Sequence, residues 1–510
     1  MNLIIWMIII PLITAFVLGI YYSFTHKASK IITLSGVFLY CTAVIITSIT
    51  AFYEPLIYSP GDWGLLGINL MVDSFSILIL LLTALLLPLT IVYSLSWVKE
   101  NEAKFYILLL LLTAGITGMS VTADLFNLYV FFELTSLTSY ALVAIPKTDD
   151  SIEGAFKYLI LGSISGVFIL LAVILTYYTT GFLSIPQVAR EFSEIPFYTR
   201  QMIGVLFVFG FSLKFALFPL HTWLPDAYTG APLPYNVLSS GLIIKISFLA
   251  LIRILYLLIG AETMATNGMA GLLIYWGAAT IVVGHTLAFK QENIIRMLAY
   301  SSIAQMGYIV LGFGLTTEAG IMGGSYHFLN HAIMKGALFL TAGILINKNS
   351  DNSRIGEMKG LGYQCPVTSL MFVMAALAIV GLPPFNGFMS KWLIIKAALE
   401  ADYVLAAFFV PVGSLLALTY YLKVILSLYD RVPESFELSL KGNDFKGSYV
   451  RKKSMWSPKG IPLNFKIPAF LLSVLCLLLG LFPSLPLTLI AQIPRYLIDS
   501  QKYIALFTGG

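Results

Sequence analysis

Glu133 stands within an apolar stretch that runs from Leu125 through Phe131 and Phe132 to Leu134, with no cation near it in the sequence. An acid there is costly to insert and most often functional, so a partner from another segment is expected. A carboxyl kept neutral by burial is the bland alternative. Lys214 poses the complementary problem. It precedes Pro219, His221, Pro225 and Asp226 in a run that begins apolar and then breaks. Proline removes a backbone donor and clashes with the preceding turn, which frees carbonyls. Irregular backbone at membrane depth survives only in a protein interior or a wet cavity. The device recurs at Gly381, Pro383, Pro384, Gly387 and Lys391. A packing kink would explain either break alone, but two, each with a lysine, point to an internal repeat around a transport site.

His327, His331 and Lys335 are spaced i, i+4 and i+8, one stripe on one helical face. Zinc binding by a His-Glu-x-x-His pattern needs a Glu where Phe328 stands, and no third ligand is evident. An imidazole that titrates near neutrality, placed beside a lysine, suits proton relay better, with core histidines satisfied by hydrogen bonds as the alternative. Lys245 lies between Gly241 and Ser247 in another apolar run, and a desolvated lysine lends and recovers its proton readily. In sequence order Glu133, Lys214, Lys245, His331 and Lys391 form a row that could pass a proton through bridging waters. Asp73, Asp124, His221 and Asp226 are secondary candidates.

Elements that could hold such a row must be membrane spans. The chain has 510 residues, of which 58% are hydrophobic and only 11% charged, and its mean hydropathy is +0.89. A soluble domain of that length needs far more charge to cover its surface. Hydropathy predicts an all-α protein of about fourteen spans, near 3–22, 31–53, 70–97, 104–121, 124–146, 157–180, 201–220, 233–257, 268–288, 295–316, 320–347, 366–396, 403–429 and 466–490. The first run has no basic leader and no small-residue cleavage site, and reads as a span. Nineteen basic residues fall in the odd-numbered loops, eight of them after the thirteenth span. Only Arg190, Arg200, Arg253, Arg495 and Lys502 fall on the other side. The odd loops are therefore expected in the cytoplasm, with both termini outside.

Six lysines remain within the spans: Lys214, Lys245, Lys335, Lys391, Lys396 and Lys423. Each costs about 2.5–3.5 kcal/mol at a helix centre unless paired, hydrated or snorkelling. Lys396 and Lys423 lie near enough to helix ends to snorkel. The three cysteines, Cys41, Cys365 and Cys476, lie far apart and show no metal-binding spacing. The chain has no P-loop, dinucleotide fingerprint, haem-attachment motif or hydrolase triad signature, so no cofactor and no nucleic-acid partner are expected.

With these residues in hand, the chain resembles the antiporter-like, proton-pumping membrane subunits of respiratory complex I. It also resembles the D-type subunit of Mrp sodium/proton antiporters and their relatives in energy-converting membrane-bound hydrogenases, and Lys391 favours these over the middle pump subunit of complex I. The likeness is strongest over 65–430. It is carried by Val72-Asp73-Ser74, Ala123 to Phe126, Phe132-Glu133-Leu134, Lys214 to Asp226, Arg296 to Ser302, His327 to Lys335 and Gly387 to Lys391. The resemblance implies two inverted five-helix repeats, 98–257 and 258–430, preceded by helices in 1–97. A basic cytoplasmic loop, 431–465, and a last helix with a tail, 466–510, follow them. It also implies that Glu133 and Lys214 are a contacting pair, Lys245 a connecting lysine, His331 a relay histidine and Lys391 an exit-side lysine.

The function implied is movement of protons, sodium ions or both by a non-redox subunit of an oxidoreductase complex, itself non-catalytic. Its partners would be other membrane subunits, including further antiporter-like ones, a redox module and membrane lipids. The plasma membrane is the implied location. A stand-alone Mrp-type antiporter subunit and a structural membrane scaffold are the alternatives. The maintained cost of the buried ionisable residues argues against the scaffold.

Overall fold

The computed structural model describes residues 3–62, 67–430 and 460–508. Side-chain caps start several of its helices. α1 (Leu3–Thr25) is followed by α2 (Lys30–Ala51), whose Ile32 amide donates to the Ser29 hydroxyl. An antiparallel hairpin of β1 (Leu56–Tyr58) and β2 (Leu70–Val72) leads to α3 (Ser74–Trp97). The Ser76 amide donates to the Asp73 carboxylate at 2.7 Å and so caps α3. α4 (Glu102–Val121) precedes α5 (Leu125–Ala144), where Asp124 accepts from the Asn127 amide at 2.7 Å. An acidic acceptor at a helix start also favours the helix dipole. Asp73 and Asp124 are thus cap residues at one end of the bundle.

α6 (Asp149–Thr180) starts on a Thr148 cap and ends at Gly181, and the short α7 (Ile185–Glu191) follows. The predicted span 201–220 is helical only to Lys214: α8 (Phe197–Lys214) stops there, and α9 (Trp223–Gly230) resumes after an irregular stretch. Residues 233–259 form one helical segment with two wide turns. α10 (Leu233–Leu238) runs into a π-helical turn, Ser239–Ile243, then α11 (Ile244–Ile254), then a second π-helical turn, Leu255–Ile259. After α12 (Ala261–Thr266) come α13 (Met269–Phe289), α14 (Ile294–Gly314) and the long α15 (Glu318–Lys348).

α16 (Leu361–Gln364) leads into the second broken element, α17 (Pro366–Val380) and α18 (Asn386–Glu400). α19 (Val404–Tyr429) and α20 (Leu463–Leu481) follow. The C-terminal end folds as three short helices, α21 (Ser484–Ile490), α22 (Ile493–Ile498) and α23 (Ser500–Thr508), where only a tail was expected. Of the basic loop expected over 431–465, residues 431–459 lie outside the described residues.

Among the described residues, eleven helices are long and apolar enough to cross a membrane. The protein is a mostly helical, multi-pass membrane protein. Burial ranks these helices. Over an apolar 18-residue stretch of each, the share of buried positions is 94% in α15 and in 233–259 and 89% in α14, but 39% in α1, α6 and α19 and 33% in α20. The first three form the axis, and the others turn apolar side chains outward, as lipid-facing helices do. The axis helices carry Lys245, His327, His331 and Lys335, so the fold places its ionisable residues where exposure is least.

Candidate functional site

At the first break Lys214 is the last residue of α8 and 1% exposed. Its ammonium donates to the Tyr140 hydroxyl at 3.2 Å and lies over three rings, 4.4 Å from the centre of Tyr158, 4.6 Å from Tyr140 and 5.4 Å from Phe132. Each such cation–π contact stabilises by about 0.5–2 kcal/mol. The indole of Trp223 stacks on Tyr158 and donates to the Leu213 carbonyl at 2.9 Å, which ties the far side of the break to the last turn of α8.

Glu133 is half-buried on α5, one helical turn after Tyr129. It packs against Gly166 so closely that a Cβ there would lie 2.2 Å from its Oε1. Glu133 and Lys214 are near enough for their charges to interact. They do not form the direct pair that the resemblance implies: no ion pair between them falls within 4.0 Å. The rings of Phe132 and Tyr140 take up the space around the ammonium instead.

His221, within the break, is buried and packs edge-on against Tyr300. Asp226 accepts from Lys157 at 2.6 Å and from Arg296 at 2.5 Å, which joins α6, α9 and α14 through one carboxylate.

Lys245 is fully buried and donates to the Ser240 carbonyl in the adjacent π-helical turn at 2.5 Å. π-helical turns recur at functional sites because the wider turn exposes backbone groups. Across from it on α15, His327 is hydrogen-bonded to Ser390 at 3.0 Å and Gln305 at 2.8 Å. The His331 ring lies parallel to that of His327 with centroids 6.4 Å apart. Neither nitrogen of His331 meets a protein hydrogen-bond partner among the described residues. Lys335 donates to the Leu298 carbonyl at 2.8 Å.

At the second break Lys391 reaches back to the end of α17. It donates to the carbonyls of Ile379 and Val380, each at 3.0 Å, and to the Ser414 hydroxyl at 2.9 Å, and it lies 4.7 Å from the centre of the Tyr308 ring. A cation there meets both the orphan carbonyls and the negative end of the α17 dipole.

The buried ionisable set is therefore Lys214, Lys245, His327, His331, Lys335 and Lys391, with half-buried Glu133 beside the first of them. Asp73, Asp124 and Asp226 stand apart from it. Lys396 and Lys423 are exposed, Lys396 beside Glu400 and Lys423 donating to the Gln291 carbonyl.

Two residues escape sequence reasoning. Arg253, sorted by hydropathy to the outer face, is 4% exposed. It bridges to Asp73 at 2.7 Å, to Ser76 at 3.0 Å and to the Ser120 carbonyl at 2.9 Å. Its position near the end of a predicted span hides this, because a snorkelling arginine and a paired one look alike in sequence. His285 is fully buried on α13 between the hydroxyls of Tyr420, at 3.0 Å, and Tyr308, at 3.1 Å. A lone histidine in an apolar helix was the one available signal.

A family model described as NADH:quinone oxidoreductase/Mrp antiporter, TM matches residues 122–417. The chain is 35% identical to NADH-quinone oxidoreductase subunit N of Desulforudis audaxviator, over 83% of each chain. It is 30% identical to the D-type subunit of the Na(+)/H(+) antiporter of Alkalihalophilus pseudofirmus, over 82% of this chain and 86% of that one. Among solved structures it superposes on a chain of the membrane-bound sulfane sulfur reductase, an archaeal respiratory membrane complex. That match has a TM-score of 0.88 and 32% identity, covering 98% of this chain and 99% of the other.

Proposed function

The chain belongs to the NADH:quinone oxidoreductase/Mrp antiporter transmembrane family, and on that premise we propose that it translocates protons, sodium ions or both as a non-redox subunit of a multisubunit membrane complex. One observation supports the reading: Lys214, Lys245, His331 and Lys391 are all buried, and Glu133 is half-buried within charge range of Lys214. Four buried cations and imidazoles are too costly to hold for packing alone. Orphaned buried polar atoms accompany them, among them both His331 nitrogens, the Gln305 amide nitrogen and the hydroxyls of Ser136, Ser212 and Ser239. Such atoms suit a file of bound water or ions. In this row Glu133 and Lys214 are the coupling pair, acting through Tyr140 and water. Lys245, His327, His331 and Lys335 pass the charge on, and Lys391 gates its far end. His221 and Asp226 support the first break.

The finer architecture belongs to the same reading. α5 and the two broken elements, α8–α9 and α17–α18, join the eleven long helices to give fourteen crossings. The repeats span 98–257 and 258–430 in inverted orientation, with both termini outside the plasma membrane. An impermeant maleimide applied to intact cells then labels Cys at position 54 and not at position 452. Partner subunits, further antiporter-like ones and a redox module among them, are expected because the chain offers a path but no energy source. The likeness to the D-type antiporter subunit favours a second reading, membership of a stand-alone Mrp-type antiporter. What co-purifies from mild detergent separates the two.

The test is assembly against transport. Glu133→Gln keeps shape and removes charge, so the complex assembles while ion pumping in proteoliposomes falls at least tenfold. Glu133→Asp keeps part of the rate. Normal assembly with wild-type pumping in Glu133→Gln makes Glu133 a structural acid and ends the proposed relay.

A further inference from the structure

His285 lies outside the row of charges described above, yet it is 0% exposed and holds a hydroxyl on each ring nitrogen. Both hydroxyls lead onward. The Tyr308 ring lies beneath the Lys391 ammonium, 4.7 Å from its centre, and Ser414 accepts from the same ammonium at 2.9 Å. On the other side the Tyr420 ring packs against Tyr421 with centroids 4.7 Å apart, and the Tyr421 hydroxyl meets Ser301 at 3.0 Å. The groups line up in three hydrogen-bonded sets, Lys391 with Ser414, Tyr308 with His285 and Tyr420, and Ser301 with Tyr421.

The file has a direction. Ser301 lies seven residues into α14 from Ile294, about 10 Å along the helix axis, and Tyr421 is eight residues before the end of α19. Those ends, together with Lys290 and Arg296, form the basic face of the bundle. Packing keeps the file closed. A Cβ on Gly413 would lie 2.3 Å from the Tyr308 hydroxyl and 3.2 Å from the His285 ring, so α19 approaches as near as it does only because that residue is glycine.

We propose that His285 is a proton-relay residue, joining Lys391 to the basic ends of α14 and α19 through Tyr308 and Tyr420. The proposal rests on the ion-translocation reading and adds to it a branch that leaves the main row at Lys391. Each member beyond the Lys391 ammonium both donates and accepts, which is what a hop requires. A proton leaves the Lys391 ammonium for the Ser414 oxygen, and the Ser414 proton moves through a bridging water to the Tyr308 oxygen. The Tyr308 proton passes to Nε2 of His285, and the proton on Nδ1 passes to the Tyr420 oxygen. The Tyr420 proton moves through a bridging water to the Ser301 oxygen, the Ser301 proton to the Tyr421 oxygen, and the Tyr421 proton to water at the ends of α14 and α19. Lys391 ends neutral, every hydroxyl keeps one proton, and His285 ends as its other tautomer.

The test uses the purified whole complex in proteoliposomes, with subunit stoichiometry on native gels as the measure of assembly. Tyr420→Phe removes one oxygen and no volume, so the complex assembles and pumping falls several-fold. His285→Gln, which keeps a donor and an acceptor but cannot exchange tautomers, falls likewise. Gly413→Ala displaces the Tyr308 hydroxyl and lowers the rate without touching any titratable group. A Tyr420→Phe complex that assembles and pumps at the wild-type rate overturns the inference, whatever the other variants do. Lys391→Ala run alongside keeps the two readings apart. If it abolishes pumping while Tyr420→Phe does not, the branch fails and the main row stands. If it too pumps normally, the ion-translocation reading itself has failed.

Discussion

At the first break Lys214 ends α8 and sits before the irregular stretch, whereas at the second Lys391 is the sixth residue of α18 and sits beyond it. The sequences look like two uses of one device, a lysine near a proline. Their surroundings differ. Lys391 uses all three of its donors, two on the carbonyls of Ile379 and Val380 and one on Ser414. Lys214 has one hydroxyl and three aromatic faces. Rings attract a cation without fixing its direction, so Lys214 is held in place but free to reorient, while Lys391 is clasped. A movable cation suits the start of a relay, where a carboxylate one side chain away must be engaged and released. A clasped one suits a gate. The lesson is that a helix break sets only where polar backbone becomes available. Which side the lysine occupies decides whether it uses that backbone.

Lys391→Ala is the harshest challenge to this contrast. It strips donors from two buried carbonyls as well as removing the charge. The unsatisfied groups cost about 1–3 kcal/mol each, so thermal unfolding of the complex drops by several degrees and pumping is lost. If stability is unchanged, Lys391 is not a clasp. Lys214→Met comes next. Pumping falls as far, but the methionine packs on the same rings and bares no carbonyl. Stability therefore stays within about 1.5 kcal/mol of wild type, as for other conservative apolar replacements. Equal destabilisation by the two variants would erase the difference between the breaks. Tyr140→Phe is the mildest. It removes the one hydrogen bond to the Lys214 ammonium and keeps the ring beneath it, so transport falls by less than tenfold, as a titration of pump rate against driving force will measure. A loss as large as that of Lys214→Met would show that the hydroxyl and not the rings holds the cation.

Much of this was legible in the residues. Pro219 and Pro384 mark both breaks, and the spacing of His327, His331 and Lys335 gives the stripe that α15 turns inward. Three things were not. Tyr140 and Tyr158, which take the place beside Lys214 expected for Glu133, are ordinary aromatics in the sequence, and only the packing of α5 and α6 against α8 brings them there. Arg253 meets Asp73 across 180 residues, a pairing with no trace in local periodicity. Hydropathy sorts charges by position along a span, and at the end of a span it cannot separate a lipid-facing arginine from one turned inward. His285 lies among apolar neighbours whose hydroxyl partners, Tyr308 and Tyr420, come from two other helices.

The helical segment that carries Lys245 has an odd mechanical property. α11 is flanked by two π-helical turns, Ser239–Ile243 and Leu255–Ile259, and each such turn stores one residue more than an α-helical turn. α11 is thus a spindle between two loose collars. Arg253 sits on the same spindle, eight residues along, and its bond to Asp73 ties that end to the start of α3. The helix that carries Lys245 is thus widened at both ends and pinned at one.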